Sequence, residues 1–196
     1  MNEEKKLRLT VASSPHVASP IDTTNLMRDV LIALVPAMVM GVVFFGPRAL
    51  VATIISVLAC EFFEWGYRKL MHKSCAVKDL SAAVTGVLLA FVCAPTLPYW
   101  MLIIGDFFAI VVVKQLFGGL GYNFANPAIV GRIAMAMGFA GRMSTYGFPQ
   151  GVDATSAATP LSSAAEGIDY VTLLLGTHGG VLGETCAIAL IIGGVY

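Results

Sequence analysis

Charge is scarce in this chain. Asp, Glu, Lys and Arg together make up 12% of its 196 residues, against roughly a quarter in an ordinary soluble domain. The charges present cancel, 12 basic against 12 acidic, so there is no basic footprint that would point to nucleic acid. The four cysteines, Cys60, Cys75, Cys93 and Cys186, have neither C-x-x-C nor Cys/His ligand spacing. Three of them lie inside apolar runs, where a thiol behaves as a small hydrophobe. His16, His72 and His178 are scattered and give no metal-ligand pattern. The first 29 residues are polar and lack the apolar core of a cleavable signal, so none is expected. The apolar runs also lack two-residue alternation, which argues against a membrane barrel.

What the chain has in excess is apolar surface. Hydrophobic residues reach 57% and mean hydropathy is +0.81, the composition of an all-α, polytopic transmembrane protein. Residues 1–27 read as a polar arm and residues 28–196 as a multi-span membrane domain. Spans are expected over about Arg28–Phe45, Ala49–Trp65, Leu80–Ala94, Leu97–Val113 and Ala128–Ala140. A short apolar piece, Tyr170–Leu175, precedes a run from Val181 to Tyr196 that reads as an incomplete sixth span. Several spans fall short of the ~20 residues a straight crossing needs, which predicts partial or re-entrant helices. The methionines and phenylalanines read as lipid-facing or packing residues.

The basic residues orient these spans. With the N-terminus in the cytoplasm, Lys5, Lys6, Arg8, Arg28, Arg68, Lys69, Lys73, Lys78, Lys114 and Arg132 fall on the inside. Only Arg48 and Arg142 fall outside, a strong positive-inside bias. The polar loop 141–169 then lies on the outer face.

That loop carries Asp153-Ala-Thr-Ser-Ala-Ala-Thr159-Pro-Leu161. It offers a threonine hydroxyl, a carboxylate six residues upstream, and alanines that leave room for a bulky adduct. A turn or helix cap built on Asp153 or Ser156 accounts for the same residues. The segment also resembles the flavin-attachment motif Asp-x-x-Ser/Thr-Gly-Ala-Thr, in which a flavin transferase esterifies FMN phosphate onto the last threonine. The resemblance makes Thr159 the acceptor, with Asp153, Ser156 and Ala158 as motif residues and Thr155 as the fallback. Ala157 stands where the motif has glycine, which restricts the backbone there.

A second unusual stretch is Gly118-Gly-Leu-Gly121-Tyr-Asn123-Phe-Ala-Asn126-Pro127. Its glycines break a helix and permit close backbone approach, and Pro127 suits the first turn of the next helix. Asn123 and Asn126 either cap helices in a tight turn or hold a ligand. A broken helix inside a membrane survives only where protein or a cavity surrounds it.

Carboxylates within the spans are Glu61, Glu64, Asp106 and Glu184. Glu61 and Glu64 lie close to Arg68 and Lys69 and read as solvated or paired end charges. Asp106, midway along a span, and Glu184, opening the last, are the ion-path candidates. Arg132, in an apolar setting, is a candidate partner for one of these or for a flavin phosphate.

Ser14-Pro15-His16, the run from Gly118 to Arg132, Asp153–Leu161 and Gly183-Glu184-Thr185 together resemble the D subunit of the Rnf electron-transport complex. The B subunit of the sodium-pumping NADH:quinone reductase is similar more loosely. The resemblance covers essentially the whole chain, and members of that family continue with further membrane helices. It implies a membrane subunit of a ferredoxin:NAD oxidoreductase in the cell inner membrane, coupling electron flow to Na⁺ or H⁺ movement beside iron–sulfur and flavin subunits. It implies FMN on Thr159 and a second, noncovalent flavin, riboflavin in the related subunit, near Asn123, Asn126, Gly121 and Arg132. Such a subunit positions redox cofactors and has no complete activity alone. A non-redox membrane transporter is the alternative of another class.

Overall fold

A computed structural model describes residues 22–73, 79–146 and 170–196. The arm up to residue 21, and Asp153, Ser156, Ala158 and Thr159, lie outside those described residues. No strand appears among the described residues. The elements are α1 (Thr23–Phe45), α2 (Pro47–Leu70), α3 (Ser81–Phe91), α4 (Tyr99–Phe107), α5 (Pro127–Gly138), α6 (Ala140–Met143), α7 (Tyr170–Leu175) and α8 (Ala187–Val195). Helix α4 runs directly into a π-helical segment, Phe108–Gln115.

Helices α1 and α2, with 23 and 24 residues, are each long and apolar enough to cross a bilayer. Helix α1 starts at Thr23, before Arg28, because Asp22 caps it, accepting from the Thr23 N–H at 2.8 Å. Gly46 turns the chain at φ 77°, and Pro47 opens α2 at its first position. Helix α2 continues past Trp65 to Leu70, with Arg68 and Lys69 in the last turn, where a helix dipole favours cations.

Packing in α2 reverses that of a soluble helix. Ala49, Thr53, Ser56, Cys60 and Glu64, spaced three or four apart, are the buried side chains. Val51, Ile54, Leu58, Phe62 and Trp65 form the opposite, exposed stripe. Small and polar residues inside, bulky apolar ones outside, is the arrangement a lipid solvent requires. The shorter α3 and α5 are helices of 11 and 12 residues, the partial elements expected from the short apolar runs. The polytopic all-helical membrane architecture follows from these elements together.

Close crossings occur at glycines. A Cβ on Gly86 of α3 would stand 2.8 Å from Val57 Cα of α2. Gly131 of α5 sits against the Gly105 carbonyl of α4, and Gly193 of α8 against that of Ala33 in α1. The end of α3 is closed by the segment before α8: the Gly183 N–H donates to Phe91 O at 2.9 Å and that of Leu182 to Cys93 O at 3.3 Å. Terminal carbonyls that water would otherwise solvate are thereby satisfied by protein.

The glycine crossings generate a test. Gly86→Ala is expected to destabilise the purified protein by about 1–3 kcal/mol, because the methyl meets backbone rather than a movable side chain. Gly66→Ala, in open space in the same bundle, is expected to stabilise it by roughly 0.5–1 kcal/mol. Unfolding midpoints in detergent, read side by side, check both signs.

Candidate functional site

Glu64 is the centre of a buried polar network. Its side chain is 0% exposed and that of Lys114 is 1% exposed. Lys114 Nζ donates to Glu64 Oε2 at 2.8 Å and to Ser81 Oγ at 2.6 Å. Gln115 Nε2 donates to Glu64 Oε1 at 2.8 Å, and Arg68 Nε stands 3.4 Å from that same oxygen. Ser81 Oγ in turn donates to Asp79 Oδ1 at 2.6 Å. Two cations and two carboxylates are thus joined through one serine across α2, the π segment and the start of α3.

The π-helix makes this network possible. The step from Asp106 to Gln115 would be about 2.5 turns of an α-helix, which would aim the two in opposite directions. The wider i→i+5 turn brings Gln115 round, so that both face α2: Asp106 at Ser56 and Cys60, Gln115 at Glu64. From the sequence, Lys114 reads as an interfacial flank and Glu64 as an end charge. Glu64 is paired, as that reading allows, but deep inside. The available signal is a lysine enclosed by Ile110-Val-Val-Val113 and Leu116-Phe117.

Beside the network lies an open cavity of about 200 Å³ lined by Ser81, Thr85, Lys114, Asn123, Asn126 and Pro127, with Met27, Val84, Leu88, Leu120 and Ala125 as its apolar wall. The glycine stretch that builds it has φ values of 118°, 99° and 88° at Gly118, Gly119 and Gly121, a region that suits glycine. The two asparagines differ. Asn126 Oδ1 caps α5, accepting from the Ala128 N–H at 3.0 Å. Asn123 Oδ1 is buried at the cavity with no partner among the described residues.

A flavin ring fits this donor and acceptor set. Its imide edge needs an acceptor for one N–H and donors for two carbonyls. Asn123 Oδ1 is an acceptor without a partner among the described residues, and the Lys114 ammonium has three protons, two of which go to Glu64 and Ser81. The cavity volume suits one edge of a ring system rather than a whole cofactor.

The remaining candidates do not converge on this cavity. Gly121 is exposed in the turn. Arg132 is half-buried on α5 and forms no ion pair among the described residues. Glu184 is exposed in the turn before α8, apart from Asp106. Asp106 is fully buried in its own cluster with Ser56 and Cys60.

Known proteins share this sequence over nearly its whole length. The profile of the NQR2, RnfD, RnfE family matches residues 10–196. The chain belongs to the NQR2, RnfD, RnfE family. It is 41% identical to the D subunit of the Na(+)-translocating ferredoxin:NAD(+) oxidoreductase complex of Acetobacterium woodii, over 100% of this chain and 63% of that protein. It is 37% identical to the D subunit of the proton-translocating ferredoxin:NAD(+) oxidoreductase complex of Clostridium ljungdahlii, over 98% of this chain and 62% of that one. The D subunit of the ion-translocating oxidoreductase complex of Shewanella denitrificans is 36% identical over 72% of this chain and 41% of its own length. The chain therefore spans less than two thirds of these relatives.

For this family member the buried pair makes a clear prediction. Glu64→Leu strands the Lys114 ammonium and is expected to cost about 3–5 kcal/mol. Adding Lys114→Met should restore more than half of that loss, while Arg68, near the surface, extends its head to water. A double-mutant cycle on unfolding midpoints measures it.

Proposed function

We propose that this protein is a membrane subunit of an ion-translocating ferredoxin:NAD oxidoreductase, carrying electrons through FMN esterified to Thr159. The observation that carries the proposal is the Asp153–Thr159 motif within a chain matched by this family over residues 10–196. FMN, when bound, supplies the electron transfer itself. The protein contributes the tether, which prevents loss of the cofactor to water and fixes its distance to the next carrier. Asp153, Ser156 and Ala158 are the motif residues a flavin transferase would engage.

The protein works in the cell inner membrane, beside iron–sulfur and flavin subunits, with residues 1–27 as a cytoplasmic arm and 28–196 as the membrane domain. The outward placing of loop 141–169 is supported by the distribution of charge between the ends of the bundle. Arg48 donates to Thr96 O at 3.2 Å, and Thr96 Oγ1 donates to Thr145 O at 3.3 Å. Arg48 and Arg142 therefore gather at the end from which the chain runs on towards Thr159. Arg68, Lys69 and Lys73 lie at the far end of α2. The second flavin, riboflavin or a relative of it, inserts one edge of its ring system into the cavity at Asn123 and Asn126, where Lys114 and Asn123 hold that polar edge. Arg132, half-buried on α5, and Gly121, exposed in the turn, stand outside that cavity. Asp106 and Glu184 belong to the ion path.

The family also includes quinone-reductase subunits, so a B-type subunit of a sodium-pumping NADH:quinone reductase is the second reading. It is separated from the first by whether the assembled complex reduces quinone or exchanges electrons between ferredoxin and NAD. In-gel flavin fluorescence of the denatured protein tests the attachment. A fluorescent band that disappears completely in Thr159→Ala is the expected result. A dark wild-type band from cells that flavinylate other proteins overturns it and moves a non-redox transporter ahead.

A further inference from the structure

Asp106 sits in a cluster that contains more acceptors than its one hydroxyl proton can serve. Ser56 Oγ is 2.6 Å from Asp106 Oδ1 and 2.9 Å from Gly86 O. A serine hydroxyl has one proton, so it fully serves only one of these at a time. Cys60 Sγ adds a weak donor to the same carboxyl oxygen at 3.2 Å. Asp106 Oδ2 is buried with no partner among the described residues. Ser56, Cys60 and Asp106 are all out of solvent, and Asp106 forms no ion pair among the described residues.

Two proton arrangements fit one set of heavy atoms. In the first, Ser56 donates to Asp106 Oδ1 and the carboxyl carries no proton. In the second, the carboxyl carries a proton and donates it to Ser56 Oγ, and Ser56 donates to Gly86 O. The 2.6 Å separation suits a hydrogen bond to or from a carboxyl in either direction. Moving between the two takes the gain or loss of one proton at the carboxyl and a rotation of the Ser56 hydroxyl, with no shift of heavy atoms.

The same distances disfavour a metal cation. Hard cations hold oxygen ligands at ~2.3–2.6 Å, which keeps neighbouring ligand oxygens roughly 3.2 Å or more apart. Oxygens at 2.6 and 2.9 Å have a proton between them rather than an ion. The titratable groups that interact electrostatically with Asp106 are Cys60 on α2 and Cys93 after α3; Glu64 and Lys114 act on Cys60, and Arg132 acts on Cys93. Glu64 and Lys114 are already committed to each other.

We infer that Asp106 and Ser56 form a proton-loading site: the Asp106 carboxyl takes a proton from water and returns it to water, while the Ser56 hydroxyl switches its donation between Asp106 Oδ1 and Gly86 O. Each cycle forms and breaks one O–H bond and consumes no electrons. As a step in transport this rests on the redox-coupled function proposed above; as a protonation site it does not.

The test is infrared difference spectroscopy on the full-length protein in its native membranes, stepping pH without any electron donor. Acidification is expected to raise a carboxylic-acid C=O band and remove a matching carboxylate band. Both should be lost in Asp106→Asn, and the acid band should be displaced in Ser56→Ala, which removes the acceptor. An Asp106→Asn spectrum that keeps the pair overturns the site. If that variant fails to accumulate, an unmoved band in Ser56→Ala overturns it equally. Displacement of the carboxylate band by added Na⁺ at constant pH overturns the choice of proton over metal cation. Flavin fluorescence on the same samples reads the electron-carrier function separately, since its loss leaves the infrared pair standing.

Discussion

A carboxylate and an ammonium in contact at 2.8 Å, both shielded from solvent, form the constraint on which much of this bundle depends. Neither charge is tolerable alone in such a place, because desolvation costs more than ordinary packing returns. Each therefore dictates where the other's helix must lie. Glu64 fixes α2 against the π segment, and Lys114 fixes the π segment against Ser81 at the start of α3. The π-helix is the backbone's accommodation to this demand, since it lets Lys114 and Gln115 serve the two oxygens of one carboxylate.

The network also shapes what lies beside it. Lys114 and Ser81 are at once members of the buried network and part of the wall of the cavity at Asn123. Any change in charge in that cavity is felt by a lysine already committed to Glu64. A short chain of strong hydrogen bonds then leads from that lysine to Asp79 at the bundle's end. In a low-dielectric setting such a chain is stiff and responds as a unit. A structural ion pair and the wall of a cavity thus share the same side chains.

The interior of α2 divides into two electrostatic zones. Towards its C-terminal end, Glu64 is surrounded by two cations and an amide. Nearer its start, Ser56 and Cys60 present Asp106 with a hydroxyl and a thiol, and no ion pair forms there among the described residues. The stripe that holds both zones is made of small and polar residues because lipid rewards bulky apolar side chains on the other face. Close approach at Gly86 brings α3 near enough for its carbonyl to receive the Ser56 hydroxyl. The same glycine therefore sets the helix spacing and supplies one side of the Asp106 cluster.

The sequence by itself determined the solvent and much of the element list. Sparse charge and apolar runs require a membrane, and Gly46-Pro47 and Asn126-Pro127 mark helix starts because proline lacks an N–H that a first turn does not need. The resemblance of Asp153–Leu161 to a flavin-attachment motif is equally local, since it rests on a pattern of adjacent residues. Tertiary structure alone decided the rest. That Asn126 caps a helix while Asn123 keeps a buried oxygen with no partner among the described residues depends on what packs around each. That Lys114 is interior rather than interfacial depends on a glutamate 50 positions away. The π turn cannot be read from Phe108–Gln115, because the partner that favours it sits on another helix. Local signals report the backbone's preferences and its solvent; a buried charge takes its meaning from groups that only folding brings within reach.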